Sequence, residues 1–154
     1  NGAGFADVAA DKWYASAVAW AVDKGVAKGL DESHFRPDAF IDREQFAVMV
    51  QSYMDTLPLS SYETVDENGD TVGVGISECY PALEDLGYAD SAAISPWAKS
   101  PMAVIVCRRI MNGYEDNTLR PQNTLTRAEG VKIIISAKEW AEKRQQELQN
   151  ALTK

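Results

Sequence analysis

Two segments of this 154-residue chain share one pattern, and the second copy begins 84 residues after the first (97 minus 13). Five residues recur at this spacing. They are Trp13, Gly29, Arg36, Pro37 and Arg43 in the first copy, and Trp97, Gly113, Arg120, Pro121 and Arg127 in the second. A unit repeated within one chain normally cannot bury its apolar face alone and packs against its copies. A binding site is therefore expected in a groove between the repeats.

The composition is that of an acidic globular protein. Hydrophobic residues make up 45% of the chain, and its formal net charge is -8 at pH 7. This charge argues against nucleic acid as a partner, because phosphate binding requires a cluster of lysine and arginine side chains. No run of about 18 apolar residues is present, so no membrane span is predicted.

Each copy is predicted to fold as helix, loop and helix. Asp11 and Ser95 occupy matching positions at the start of the first helix. The second helix is predicted to begin at Asp42 in one copy and at Thr126 in the other, where residues 126–129 fit a capping box. Apolar residues at helical spacing predict that the last helix continues to Leu152.

The segment between the copies is predicted to be an insertion. Apolar and polar residues alternate on both sides of Asn68-Gly69, which is typical of a small β-hairpin. The predicted fold is therefore all-α, with a hairpin added to tandem helical repeats. The predicted segments are repeat 1 at 1–55, the insertion at 56–86, repeat 2 at 87–137 and a helical extension at 138–154.

The motifs of the two copies resemble the S-layer homology (SLH) domain family. Phe5-Ala6-Asp7-Val8 and Tyr88-Ala89-Asp90 are similar to the opening of its repeat. Residues 113–121, followed by Leu125-Thr126-Arg127-Ala128-Glu129, are similar to its middle and its hallmark. Copy one has Asp42-Arg43-Glu44-Gln45 where the family usually has Thr-Arg-Ala-Glu. The two matches cover about residues 4 to 55 and 87 to 137.

This resemblance implies an exported surface protein of the bacterial cell wall or S-layer, which is an extracellular location. Family members usually fold three repeats into a pseudo-threefold, three-pronged helical bundle with ligand grooves between the prongs. The implied partner is an anionic, often pyruvylated, secondary cell-wall polysaccharide. Because this chain has two copies, we expect completion of the bundle by a homodimer, by the tail and insertion, or by further domains of a larger surface protein.

Arg127 and Arg43 are the main candidates for ligand binding. Each lies in the first turn of its second helix, where a cation opposes the helix dipole, so a functional reason for the residue is expected. A guanidinium beside free helix N–H groups favours a carboxylate, with charge-assisted hydrogen bonds worth about 1.5 to 3 kcal/mol each. Asp42 and Glu44 flank Arg43, so we expect Arg127 to dominate. The alternative for both is an ion pair with an acidic residue of the other copy.

Five further residues are weaker candidates. Trp13 and Trp97 either stack on a sugar ring or anchor the core. Gly29 and Gly113 either offer backbone N–H groups to a ligand or shape the loop. Glu129 either contacts the ligand or caps its own helix.

No catalytic residue is predicted. His34 is the only histidine, and the second copy has Thr118 in its place. A glycosidase needs a carboxyl group with a raised pKa. The acidic pairs Asp31-Glu32 and Glu115-Asp116 lie in polar turns, where solvation gives no reason for one. Cys79 and Cys107 are too few for a metal cluster and are compatible with one disulfide or two thiols. We therefore predict a non-catalytic anchoring module with neither metal nor cofactor. The alternative is a protein-assembly module that has the fold but has lost the glycan site.

Overall fold

The computed structural model describes residues 4–59, 61–65, 71–75 and 86–152. In these residues the elements are α1 (Ala15–Asp23), α2 (Arg43–Asp55), β1 (Ser61–Val65), β2 (Thr71–Gly75), α3 (Lys99–Cys107) and α4 (Arg127–Leu152). A short 3-10 helix, Ser91–Ala93, precedes α3. The described part of the chain is thus mainly helical, and each copy is helix, loop and helix, as predicted.

The loop between the two helices is held in the same way in both repeats. In repeat 1, the Asp7 carboxylate accepts hydrogen bonds from the backbone N–H groups of Phe35 (2.9 Å) and Arg36 (2.7 Å). In repeat 2, the carboxylate of Asp90 accepts the equivalent bonds at 2.8 Å and 2.7 Å, from Leu119 and Arg120. The bond from Phe35 is the main reason why the pKa of Asp7 is lowered.

At the head of each loop an aromatic ring leaves no space for any residue other than glycine. Phe5 packs against Gly29, and Tyr88 packs against Gly113, so closely that a Cβ at either glycine would overlap the ring. The loop-shaping explanation therefore accounts for both glycines without a ligand.

The second helices begin as predicted, with two capping boxes. Asp42 accepts a hydrogen bond from the Gln45 N–H at 2.8 Å, and the Gln45 side chain accepts one from the Asp42 N–H at 3.3 Å. Glu129 likewise accepts from the Thr126 N–H at 2.8 Å, and its own N–H donates to the Thr126 hydroxyl at 3.2 Å.

The first helices begin later than predicted. Asp11 and Ser95 lie outside the helices, and α1 and α3 start four residues further on, without a side-chain cap. In repeat 2 the reason is visible. The Ser95 hydroxyl donates to Glu44 at 2.6 Å and its backbone N–H donates to the same carboxylate at 3.1 Å, so Ser95 binds α2 instead of capping α3.

The main core lies among α2, α3 and α4. Its most buried members include Ala47, Met102, Ile105, Ile110, Met111 and Leu119. The first helix of repeat 2 is therefore the more buried of the two. Val8, Ala15 and Val18 of repeat 1 form a separate small cluster.

The insertion contains two paired strands. β1 and β2 are antiparallel, with Ser61 opposite Gly75 and Val65 opposite Thr71. The predicted turn at Asn68-Gly69 lies outside the described residues, and so does Cys79. Cys107 is a half-buried free thiol, and burial raises its pKa.

The last helix, α4, is continuous from the capping box to Leu152, as predicted. The Arg108 guanidinium lies 3.9 Å from the centre of the Trp140 ring, and Arg144 donates to the Leu59 carbonyl at 3.4 Å. Leu148 is buried. The C-terminal half of α4 therefore packs back against the rest of the chain. Of the helices described, none is long and apolar enough to cross a bilayer.

Candidate functional site

The side chain of Arg43 is buried in the contact between the repeats, with 3% of its surface exposed. Its Nε donates to the Leu119 carbonyl at 2.7 Å and its Nη2 donates to the Asn112 carbonyl at 2.8 Å. Its Nη1 lies 3.3 Å from both the Tyr114 hydroxyl and the Glu129 carboxylate. Arg43 therefore joins α2 to the loop and the last helix of repeat 2.

Glu129 is the carboxylate that balances this guanidinium. It accepts hydrogen bonds from the Tyr114 hydroxyl and from the N–H and hydroxyl of Thr126. The bond from Tyr114, followed by those from Thr126, lowers the pKa of Glu129 to about 2. Burial, with the bond to Glu129, raises the pKa of Tyr114. Glu129 is thus ionised at neutral pH, opposite the Arg43 guanidinium.

A pocket of about 190 Å³ lies beside this pair. Its lining residues are Arg43, Ile110, Met111, Asn112, Gly113, Tyr114, Glu129, Lys132 and Ile133. The Lys132 side chain is exposed, and its amino group forms no ion pair with any residue that the structure describes. With two cations and one carboxylate, the pocket has a positive formal charge, and Ile110, Met111 and Ile133 add apolar lining.

The S-layer homology domain family matches residues 4–47 and 87–129, which is more than half of the chain. The chain belongs to the S-layer homology family. The family and its two repeats are therefore as the sequence predicted.

Curated relatives of this SLH chain include surface proteins. It is 29% identical over 143 residues to Cell surface glycoprotein 1 of Acetivibrio thermocellus. The matched region covers 88% of this chain and 5% of that protein. It is 29% identical to the Surface-layer 125 kDa protein of Lysinibacillus sphaericus, over 80% of this chain and 9% of that protein. It is 26% identical to the Cellulosome-anchoring protein of A. thermocellus, over 84% of this chain and 25% of that protein.

The SLH chain thus spans a quarter or less of the length of these relatives. It is a cell-surface module, and the predicted extracellular location at the cell wall is confirmed.

The acidic neighbours of Arg43 in the SLH motif do not compete for its guanidinium, which corrects the sequence-based expectation. The Glu44 carboxylate is buried and binds Ser95 and the Gln122 amide, the latter at 3.0 Å. Asp42 caps α2. The ion-pair alternative holds for Arg43, because its acidic partner, Glu129, belongs to the other copy.

The equivalent arginine of the second SLH repeat, Arg127, does not line the pocket. It is exposed at the start of α4, and its side chain forms no hydrogen bond or ion pair with the described residues. Trp13 and Trp97 are 91% and 55% exposed, so the interpretation of these residues as core anchors was wrong. Of the predicted site residues, the SLH pocket brings together Arg43, Gly113 and Glu129, and it leaves out Arg127, Gly29, Trp13 and Trp97.

Sequence reasoning missed three polar residues of the SLH pocket. Lys132, Tyr114 and Asn112 have Val48, Leu30 and Lys28 at the equivalent positions of repeat 1. A comparison that looks for residues shared by both copies discards them. For Lys132 and Tyr114 the signal that would have found them is the opposite one, a polar residue whose equivalent in the other copy is apolar.

Proposed function

We propose that this SLH chain anchors an exported protein to the bacterial cell wall by holding an anionic wall polysaccharide, without a covalent bond, in the pocket beside Arg43. The observation that carries this proposal is the local positive charge of the pocket in a chain whose formal net charge is -8. A carboxylate on the ligand is attracted there and repelled by most of the remaining surface.

Lys132 is the proposed primary contact for the carboxylate. Its ammonium group is accessible, whereas the Arg43 guanidinium is already held by two carbonyls and by Glu129. Arg43 therefore fixes the shape and charge of the pocket, and Lys132 binds. A pyruvylated sugar carries a carboxylate and a methyl group on one carbon, which suits a pocket lined by a cation and by the apolar residues Ile110 and Ile133.

One tight site per chain is proposed. The position equivalent to Lys132 in repeat 1 is Val48, so the first repeat lacks the accessible cation. Trp13 and Trp97 offer exposed indole faces on which further sugar rings of a longer polymer can stack. In this proposal the two repeats are two prongs of a pseudo-threefold bundle, which their matching loops support.

The test is co-sedimentation of the full chain with purified cell walls. Lys132→Ala is expected to weaken wall binding about tenfold or more, because a hydrogen bond to a charged group contributes about 1.5 to 3 kcal/mol. Lys132→Arg is expected to retain binding, and added salt should weaken it because the cation is accessible to solvent. Walls stripped of their secondary polymer should not bind.

The matched control is Lys143→Ala, which removes the same charge from the same helix away from the pocket. It is expected to bind walls as the unaltered chain does. Equal binding by Lys132→Ala and Lys143→Ala would reject the pocket, and undiminished binding to stripped walls would reject the polymer as the ligand.

The alternative function, a protein-assembly module, also has an observation in its favour. Val131, Ile134 and Ile135 expose apolar side chains on α4. Exposed apolar surface of this kind marks interaction sites. The two functions are compatible, because these residues lie outside the pocket.

A further inference from the structure

One face of α2 is buried against repeat 2. Its residues are Arg43, Ala47 and Val50, all of them buried. The residues 84 positions later on α4 are Arg127, Val131 and Ile134, which we call the α4 face. Val131 is 61% exposed and Ile134 is 55% exposed. The α4 face is therefore a second copy of an interface that is already in use within the chain, with larger apolar side chains and no equivalent partner among the described residues.

The surface that receives α2 also has a counterpart, in repeat 1. The Arg43 guanidinium is held by the carbonyls of Asn112 and Leu119. The equivalent carbonyls belong to Lys28 and Phe35, and no donor within the described residues reaches either oxygen. Because the two loops share the same aspartate hydrogen bonds, repeat 1 presents the same pair of acceptors without an arginine.

The first helix of repeat 1 is the third part of this counterpart. α3 lies along α2, whereas α1 has no comparable helix packed along it in the described part of the chain. Ile105 and Val106 of α3 are buried, but the equivalent Ala21 and Val22 of α1 are only partly buried. Repeat 1 therefore lacks the helix that repeat 2 receives from its neighbour.

We propose that the α4 face of one copy of the chain docks on α1 and the loop of repeat 1 in a second copy, as α2 docks on repeat 2 within one chain. Arg127 then lies between the carbonyls of Lys28 and Phe35. The two docking surfaces are different, so the association is head-to-tail and gives either a closed ring or an open chain. This association is separate from wall binding through Lys132.

The charges of the two surfaces fit this docking. Within the chain, Glu44 of α2 binds Ser95 and Gln122. The equivalent residues of repeat 1 are Asp11 and Asp38, and the equivalent of Glu44 on α4 is Ala128. A glutamate at position 128 would meet two carboxylates, whereas alanine avoids that repulsion. The replacement of Glu44 by Ala128 at the equivalent position of α4 is thus the change that docking on repeat 1 requires.

Position 128 gives the sharpest test, by sedimentation velocity on the full chain over a range of concentrations. Ala128→Lys is expected to lower the dissociation constant of self-association about tenfold, and Ala128→Glu is expected to raise it by about the same factor. The stability of the unassociated chain should change in the opposite order, because an acidic residue in the first turn of a helix stabilises it and a basic one does not. If Ala128→Glu associates more strongly than Ala128→Lys, in the order of helix stability, the proposal is overturned.

The apolar part of the interface is tested by neighbouring isoleucines. Ile134→Glu is expected to abolish self-association, because its equivalent, Val50, is buried between the repeats. Ile135→Glu is the matched control, since its equivalent, Gln51, is only partly buried, and it should associate nearly as the unaltered chain does. A chain that stays monomeric at its highest soluble concentration, or equal losses from the two substitutions, would overturn the proposal.

Discussion

At the scale of single residues, Glu129 makes stability depend on pH, chiefly through the hydrogen bonds that it accepts from Tyr114 and Thr126 and to a smaller extent through Arg43. The guanidinium is almost fully buried, and removing one partner of such a pair leaves the other without compensation. The pKa of Glu129 is about 2 in the folded chain, against an ordinary value of 4.5. A carboxylate whose pKa is lower in the folded chain than in the unfolded chain stabilises the fold at pH values above its ordinary pKa. This contribution is lost as the pH falls through the pKa of the folded chain.

Glu129→Gln is therefore expected to lower the free energy of unfolding at pH 7 by on the order of 2 kcal/mol, after allowance for solvent screening of the partly exposed group. The difference between the unaltered and altered chains should begin to shrink near pH 5 and be nearly gone near pH 2. Urea unfolding at a series of pH values measures it, and the other carboxylates cancel because both chains contain them. A difference that is independent of pH would show that the charge of Glu129 does not contribute.

At the scale of elements, the two first helices end in the same backbone conformation with different residues. Gly25 follows α1 with a φ of 70°, and Arg109 follows α3 with a φ of 56°. Only glycine adopts this left-handed region without a steric cost, which is about 1 to 2 kcal/mol for other residues. Repeat 2 therefore stores strain at a position where repeat 1 has none.

Arg109→Gly is expected to raise the free energy of unfolding by about 1 kcal/mol, because it removes this strain from an exposed position. Arg109→Ala keeps the Cβ and should give no gain. Gly25→Ala should lose about 1 kcal/mol, since a Cβ there meets no other atom and only the backbone conformation is penalised. Thermal or urea unfolding of the three variants compares them, and a gain from Arg109→Ala equal to that from Arg109→Gly would assign the effect to the side chain instead.

The sequence predicted those elements whose signals are local. Thr126 and Glu129 are three residues apart, so their capping box is visible in the sequence and determines where α4 begins. Ser95 looks like a helix start too, but its hydroxyl is taken by Glu44, 51 residues away. The site residues divide in the same way. Arg43 is visible in the sequence because it recurs in both repeats. Lys132 does not recur, and the pocket that it lines is formed only when α2 packs on repeat 2.

At the scale of the whole molecule, the C-terminal half of α4 extends the main core beyond the two repeats. Trp140 packs on Arg108, and Leu148 is buried. Both contacts lie after Ala137, outside the family match, which ends at residue 129. We therefore expect the part of α4 after Ala137 to contribute to the stability of the fold.

A chain that ends at Ala137 is expected to fold with a free energy of unfolding lower by about 3 kcal/mol, from the lost burial of Leu148 and the lost contact of Arg108 with Trp140. A chain that ends at Gln149 keeps both contacts and is the control. Circular dichroism during thermal unfolding measures the difference. If the two truncated chains unfold at the same temperature, the extension does not stabilise the repeats.

The continuity of α4 also determines how the module responds to mechanical load. The helix is 26 residues long, or about 39 Å at a rise of about 1.5 Å per residue. It begins next to the pocket, and Ile133, Ala137 and Leu148 are buried along its length. A pull on its C-terminal end along the axis loads these contacts in shear and all at once, whereas a pull across the axis would peel them away one by one. An anchor of this shape is strongest when tension is directed along the helix.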